Sequence, residues 1–345
     1  MNLLADSLNL SRVTVWKVLN KKPGVSRETE ERVRAALSLL SEEHSDAKPA
    51  KAAAAKNITA IVKGAETSMF WMSIVDRLAI ELNKKNMGFN FIPYGKEKLS
   101  GGDFWNALAP GKTDGLVVVN LYEEPLLSKL AELPLPKIFY DAAPSMRADD
   151  LNGDLVLVDG RRAVKQITED LLQRGFGRLG FIGDVNYART NALRWEGFAA
   201  AHEKNNAEIE AEFCLLKYAE EEDSPRSIGS FLDSLPALPD GFVCVNDYVA
   251  FLVLNLLHAK RRAGSEGVRL TGFDDSKEFM LEYRGVTTVR VQKSMLGRRL
   301  LNQLVYRMES PTADFEEIYI MPKIVFRDGG QSEAIHENAE GGGNV

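Results

Sequence analysis

Between Ile58 and about residue 330 the chain repeats one pattern. A short run of apolar, often β-branched residues is followed by a longer stretch whose apolar positions recur three or four apart. The runs are ITAIV (58–62), FNFIPY (89–94), GLVVVN (115–120), KIFYD (137–141), LVLVD (155–159), RLGFIGD (178–184), GFVCVND (241–247) and VRLTGFDD (268–275). The amphipathic stretches fall at 72–86, 124–132, 161–174, 191–204, 248–262 and 294–309. Short runs that are apolar throughout read as strands buried on both faces, and the wider spacing reads as helices that cover them. Such alternation predicts parallel sheets with helices on both faces. About 270 residues exceed what one such core organises, so two lobes are expected.

The first forty-five residues follow another pattern. Leu3, Leu4 and Leu8 share one helical face, and Asn9 suits the tight turn that follows. Ser11 can cap a second helix from Arg12 to Leu19, with Val15, Val18 and Leu19 apolar. Asn20 to Gly24 reads as a loop, and Ser26 can cap a third helix from Arg27 to about Leu40, with Val33, Ala36, Leu37 and Leu40 on one face. Two short helices joined by a turn, plus a third, match helix-turn-helix architecture, whose second helix lies in the major groove of DNA. The spacing alone fits any small three-helix bundle equally.

Charge sharpens the contrast between the two parts. The whole chain carries a formal charge of -6. Residues 1–56 hold ten Lys/Arg against seven Asp/Glu, hence +3, and the remainder holds 33 against 42, hence -9. A locally basic head on an acidic body suits a DNA-reading module. Hydrophobic content of 45% and charged content of 27% are those of an ordinary globular protein. No run of about 18 apolar residues suggests a membrane span, and the N-terminus lacks the order of a signal peptide, so a cytoplasmic protein is expected. Cys214 and Cys244 sit in apolar runs and read as core thiols, and His44, His202, His258 and His336 are scattered, so neither a metal nor a cofactor is expected.

The string SRVTVWKVLNKKPGVSRETEERVRAAL, Ser11 to Leu37, closely resembles the headpiece of the lac repressor / galactose repressor family of bacterial transcriptional regulators. The resemblance continues through TDGLVVVN, DGRRAVKQITEDLLQRGFGRLGFIGD, RWEGFAAA, FVCVNDYVAF, LTGFDD and VTTVRVQKSMLGRR, in the family's order. It implies an N-terminal helix-turn-helix domain (1–45), a linker (46–57), an effector-binding and dimerisation domain (58–330) like the two lobes of periplasmic sugar-binding proteins, and a disordered tail (331–345). Lobe 1 would take about 58–158 and 292–318, and lobe 2 about 159–288 and 322–330. The three crossings would fall near Asp159, Val289–Val291 and Tyr319–Pro322. The linker, HSDAKPAKAAAAKN (44–57), lacks the family's Arg-x-Leu minor-groove wedge, although Lys48, Lys51 and Lys56 can reach phosphates.

Roles follow from the pattern together with side-chain chemistry. Arg12, Val13 and Lys17 are the expected base readers: Arg12 by bidentate bonds to guanine, Val13 against a thymine methyl. Ser11, Thr14 and Asn20 are expected on phosphates, which set register. In the body, ligands bind beyond the carboxyl ends of strands. Arg194, Asn246 and Asp274 are the expected effector contacts, Asp141 is next, and Asp159, Phe70 and Trp71 follow. Asn246 and Asp274 can equally cap helices, and Phe70 or Trp71 can equally be core. The resemblance implies a homodimeric repressor on a palindromic operator, responding to a sugar or sugar derivative. A purine or nucleoside effector, a ligand-blind scaffold and a solute-binding receptor are the alternatives. No nucleophile–base set, P-loop or dinucleotide signature suggests an enzyme.

Overall fold

The computed structural model describes Leu10, Thr14, Val15, Val18 and residues 25–33, 56–64, 68–95, 101–218, 223–259, 264–280 and 285–327. Met1–Ala55 and Lys56–Val345 form two separate compact units. The first predicted helix, most of the second, the third beyond residue 33, the linker up to residue 55 and the tail lie outside the described residues.

In the head, Thr14, Val15 and Val18 are helical, as are residues 27–33. Val15 and Val33 are fully buried and Val18 nearly so, with Leu10 and Val25 packed against them. The Ser26 hydroxyl accepts the Thr29 N–H at 3.2 Å, satisfying one of the N–H groups that a helix start leaves without a partner. The Ser26 cap read from the sequence is therefore present.

Among the described residues the body holds two parallel sheets and one antiparallel pair of strands. In the first, β1 (Asn57–Lys63), β2 (Gly88–Tyr94), β3 (Gly115–Val119), β4 (Lys137–Tyr140), β5 (Asp154–Val158) and β10 (Glu317–Ile320) run in the order β10-β5-β4-β3-β1-β2, every pair parallel. In the second, β6 (Leu179–Ile182), β7 (Gly241–Cys244) and β8 (Arg269–Thr271) are parallel in that order. Bridges from Thr271 to Thr287 and from Asp274 to Arg290 extend this sheet to β9 (Thr288–Arg290). β9 pairs antiparallel with β11 (Lys323–Val325), the one departure from the parallel arrangement expected.

The helices are α1 (Met69–Lys84), α2 (Gly101–Ala107), α3 (Glu124–Ala131), α4 (Gly160–Gln173), α5 (Arg189–Lys204), α6 (Ser224–Ser234), α7 (Asp247–Ala259), α8 (Lys277–Met280) and α9 (Lys293–Glu309). α4 and α5 cross at Gly197, where a Cβ would sit 2.2 Å from the Arg161 carbonyl oxygen, so no larger residue permits that approach.

The chain passes from the first sheet to the second after β5, returns after β9 and crosses again after β10. α9 is tied to the first lobe by a buried ion pair. Arg307 donates from Nη2 to Asp154 Oδ1 at 2.6 Å and from Nε to Oδ2 at 3.2 Å. Gln303 and the Glu316 N–H complete the carboxylate at 2.8 and 3.0 Å, and Arg307 also bonds the carbonyls of Ala313 and Asp314. Every partner needed to bury this pair is thus in place.

A second ion pair joins the lobes. Arg189, at the start of α5 and only 3% exposed, forms a fork with Glu317 on β10, both N–H···O distances being 2.8 Å. It also reaches the Tyr319 hydroxyl at 3.1 Å and the Met146 carbonyl at 3.2 Å, while its backbone N–H donates to Ala142 at 2.9 Å. Burial pushes the Glu317 pKa up, but the Arg189 bond outweighs it and leaves the carboxyl below its usual range.

Candidate effector-binding cleft

The parallel strands deliver their carboxyl ends to the space between the lobes, and the predicted polar residues sit at those ends. Asp141 follows β4 with φ +64, Asn246 follows β7, and Asp274 follows β8 with φ +104. Short polar side chains tolerate this left-handed backbone better than most.

Asp141 is buried and engaged on all sides. Oδ1 accepts the N–H groups of Ala142 (2.9 Å) and Thr190 (3.2 Å), and Oδ2 accepts the hydroxyls of Thr190 (2.5 Å) and Tyr122 (3.4 Å). A carboxylate has about four lone-pair sites, so the protein itself saturates this one. Burial raises its pKa, and the Thr190 and Ala142 bonds and Arg194 pull it back. The geometry makes Asp141 a link that holds α5 against the first lobe.

Arg194 comes from the next turn of α5. Nη1 donates to the Val245 carbonyl at 2.7 Å, and the guanidinium lies 3.8 Å over the Phe273 ring. The side chain passes so close to Gly160 that a Cβ there would lie 2.6 Å from Arg194 Cγ. Its Nε is buried and has no hydrogen-bond partner. Opposite it, the half-buried Asp274 donates its backbone N–H to Val289 at 2.8 Å, and its carbonyl accepts Lys293 Nζ at 3.4 Å. Among the described residues nothing hydrogen-bonds the Asp274 carboxylate. Burial raises its pKa, with Arg194 and Lys293 opposing.

The other predicted contacts divide. Asn246 Oδ1 accepts the Val249 N–H at 2.8 Å at the start of α7, and Asp159 Oδ1 accepts the Arg162 N–H at 3.2 Å at the start of α4. Both side-chain oxygens therefore cap helices. Phe70 is 8% exposed and belongs to the core, whereas Trp71 is half-buried with its ring edge-on to Phe70 (4.7 Å) and Tyr140 (5.9 Å). Of the residues expected on DNA, Arg12, Val13, Lys17, Ser11 and Asn20 lie outside the described residues, and Thr14 is helical and half-buried.

Several cleft residues escaped the sequence reading. Tyr122 from the first lobe meets Tyr187 from the second, ring centres 4.7 Å apart, and Lys63 lies 5.6 Å over Tyr187 while pairing with Glu123. Thr190 stands four residues before Arg194, so helical spacing could have placed it on the same face. Asp247, by contrast, is legible as a polar strand end of the GFVCVND run; it is 2% exposed and accepts the Thr288 hydroxyl at 2.6 Å and the Ser276 N–H at 2.7 Å. Burial first, then the charge of Asp274, push its pKa up to about 7. Lys293 had no sequence signal beyond its place in a matching segment.

The cleft thus offers an unpartnered guanidinium nitrogen, a carboxylate open to donors and several aromatic surfaces. Burial pushes the pKa of both cysteine thiols, Cys214 and Cys244, up. Among the described residues no cluster of His, Cys, Asp and Glu could hold a metal, and no helix is long and apolar enough to cross a membrane.

Two α/β lobes, joined by three crossings and presenting strand-end polar groups to each other, define a periplasmic-binding-protein-like body. Residues 168–329 match the family model described as a periplasmic binding protein-like domain. Over 331 residues the chain is 26% identical to the HTH-type transcriptional repressor PurR of Histophilus somni (strain 2336), covering 94% of this chain and 96% of that protein. The PurR of Haemophilus influenzae (strain ATCC 51907 / DSM 11121 / KW20 / Rd) is similar to the same extent. Among solved structures, the transcriptional regulator CelR–cellobiose complex superposes with a TM-score of 0.69 at 20% identity, covering 95% of this chain and 98% of that one. The lac repressor dimer bound to operator and the anti-inducer ONPF gives 0.66 at 14% identity with the same coverage. Along nearly its whole length the chain is thus similar to repressors of the lac repressor / galactose repressor family, and the relatives it matches are named as transcriptional repressors rather than enzymes.

Proposed function

We propose that this protein is a cytoplasmic, homodimeric, sequence-specific DNA-binding repressor whose operator affinity is set by a small polyhydroxy effector, a sugar or sugar derivative, held between its lobes. Residues 1–45 read a palindromic operator, with Arg12, Val13 and Lys17 on bases and Ser11, Thr14 and Asn20 on phosphates. Residues 46–57 are the tether and 58–330 the sensor. Bound to its operator, the dimer is nucleoid-associated.

The observation that carries the effector reading is the pairing of Arg194, whose Nε has no partner, with the open carboxylate of Asp274. A vicinal pair of hydroxyls supplies both an acceptor for the guanidinium and donors for the carboxylate. Asn246, with its amide nitrogen still available, lies at the neighbouring strand end, and Trp71 offers a ring face for stacking. Solved relatives that are complexes with cellobiose, ribose and D-xylulofuranose fit this reading.

Operator fragments selected from genomic DNA test the first half. Arg12→Ala is expected to cost about 1–3 kcal/mol on the selected site and little on random DNA. Equal losses on both would leave Arg12 a phosphate contact. Calorimetry against a sugar and nucleoside panel tests the second half. Asp274→Ala should abolish the effector response while operator binding persists. An unchanged effector dissociation constant would remove Asp274 from the site, and a nucleoside as the sole ligand would favour the stacking surface of Trp71 over the polar pair.

A further inference from the structure

We infer that the second lobe carries a separate binding site for a small organic anion, at the end of its sheet away from the cleft. β8 delivers its carboxyl end to the cleft through Asp274, so its first residue, Arg269, marks the far end. α4 starts at the cleft-side cap Asp159 and finishes at that same far end. A cavity of about 260 Å³ lies there. Three arginines from three places in the chain line it: Arg174 just after α4, Arg269 on β8 and Arg327 just after β11. Among the described residues no Asp or Glu is in its wall.

The three guanidinium groups are held in position. Arg174 and Arg269 approach one ring, Phe176, at 5.9 and 5.5 Å from its centre. Arg174 also pairs with Asp170 at 3.3 Å. Arg327 is fixed by Asp275 at 2.7 Å and by the Val286 carbonyl at 3.0 Å. The two carboxylates orient their arginines from outside the cavity wall. Pre-ordering of this kind lowers the entropy a ligand must offset.

An independent observation comes from Thr271. Period two along a strand puts it on the same face of β8 as Arg269. It lines the cavity, is 2% exposed, and its hydroxyl has no hydrogen-bond partner. A buried hydroxyl without a partner is costly, and an oxyanion is the acceptor that would satisfy it. The remaining wall includes Leu171, Leu254, Leu270 and Val286. Guanidinium groups favour carboxylate and phosphate alike through paired N–H bonds, and the aliphatic wall suits an apolar body. The volume is just below the range of about 300–1,000 Å³ typical of small-molecule pockets, which points to a compact ligand.

The full-length protein is titrated by calorimetry with hexanoate, phenyl phosphate and inorganic phosphate at constant ionic strength, with hexan-1-ol as the neutral control. At least one anion is expected to bind saturably, with a dissociation constant of about 1 mM or tighter. Hexanoate as the tighter ligand assigns a carboxylate, and phenyl phosphate as the tighter assigns a phosphomonoester. Arg269→Gln should weaken the anion about tenfold through loss of charge-assisted bonds. Thr271→Val, which keeps size and charge, should weaken it severalfold and covers the case in which the arginine variant fails to fold. No saturable binding by any anion, equal binding of the alcohol, or affinities that neither variant alters would overturn the assignment.

Discussion

Replacing Glu317 by Gln removes the charge that holds Arg189 across the lobes and leaves nearly everything else in place. The fork consists of two N–H···O bonds of 2.8 Å. Gln keeps one acceptor but turns its amide N–H groups toward the other guanidinium nitrogen, so one bond is lost and a donor faces a donor. Hydrogen bonds to charged groups are worth about 1.5–3 kcal/mol. The Glu317 side chain is 25% exposed, so solvent screens part of the interaction, and the lower half of that range, about 1.5–2 kcal/mol, applies. At 1.4 kcal/mol per tenfold, the contacts across the lobes should open about 10–30 times more often.

Hydrogen exchange reads that opening without knowledge of the effector. The backbone N–H groups of Arg189 and Thr190 donate across the lobes, to Ala142 and Asp141. Their protection should fall by the full factor, whereas amides of β3 and α9, inside the first lobe, should keep theirs. Once the effector is known, its apparent dissociation constant should rise in proportion to the inverse of the closed fraction, and so by at most that factor, if it binds the closed pair of lobes. Unchanged protection at both amides, with global stability also unchanged, would show that the fork contributes nothing to lobe closure.

Arg307→Met should destabilise the body by about 3–5 kcal/mol, because Asp154 is then a buried charge without its counterion. The double variant with Asp154→Leu should recover a large part of the loss in urea denaturation, and additive costs would disprove the coupling. Asp247, with a folded pKa of about 7 against an ordinary 3.8, keeps its proton in the native state while the unfolded chain ionises. Native stability therefore falls as pH rises from about 4 to 7, by at most about 4 kcal/mol. Asp247→Asn should flatten that slope, so the gap in melting temperature between variant and parent grows toward pH 8, and parallel pH profiles would refute it.

The first-lobe strands were legible because most are buried on both faces: β3, β4 and β5 are apolar at almost every position, and tertiary context has little left to decide. β10 was read only as a crossing point. It is an edge strand, EIYI, half-exposed along its length, so its composition answers to Arg189 and to solvent as much as to a core. β9 is three residues long and joins its sheet through isolated bridges and an antiparallel partner, which no period can announce. In the cleft, Arg194 and Asp274 were visible through the family pattern, yet the partners that define their state were not. Val245 binds Arg194 through a backbone carbonyl, a group that every residue carries. Tyr122 and Tyr187 meet from opposite lobes, and no local spacing links them. Asp141 looked like an open carboxylate because its four donors lie at Ala142, Thr190 and Tyr122, two of them on another element.

One helix connects the proposed effector groups to the lobe contacts. Arg189 and Thr190 open α5 and hold the first lobe, and Arg194, one turn later, faces Asp274 and stacks on Phe273 in the second. A helix transmits displacement over one turn with little loss, because its backbone bonds are stiffer than the side-chain contacts at either end. A ligand that draws the unpartnered Nε of Arg194 toward itself must therefore also move Thr190 against Asp141, or be resisted by it. The coupling is reciprocal by thermodynamic necessity: the factor by which opening of the Arg189–Glu317 fork lowers ligand affinity is the factor by which the ligand suppresses that opening. A ligand that bound Arg194 and Asp274 tightly but left exchange at Arg189 unchanged would fill the cleft and carry no signal, since a ligand with equal affinity for both arrangements shifts neither.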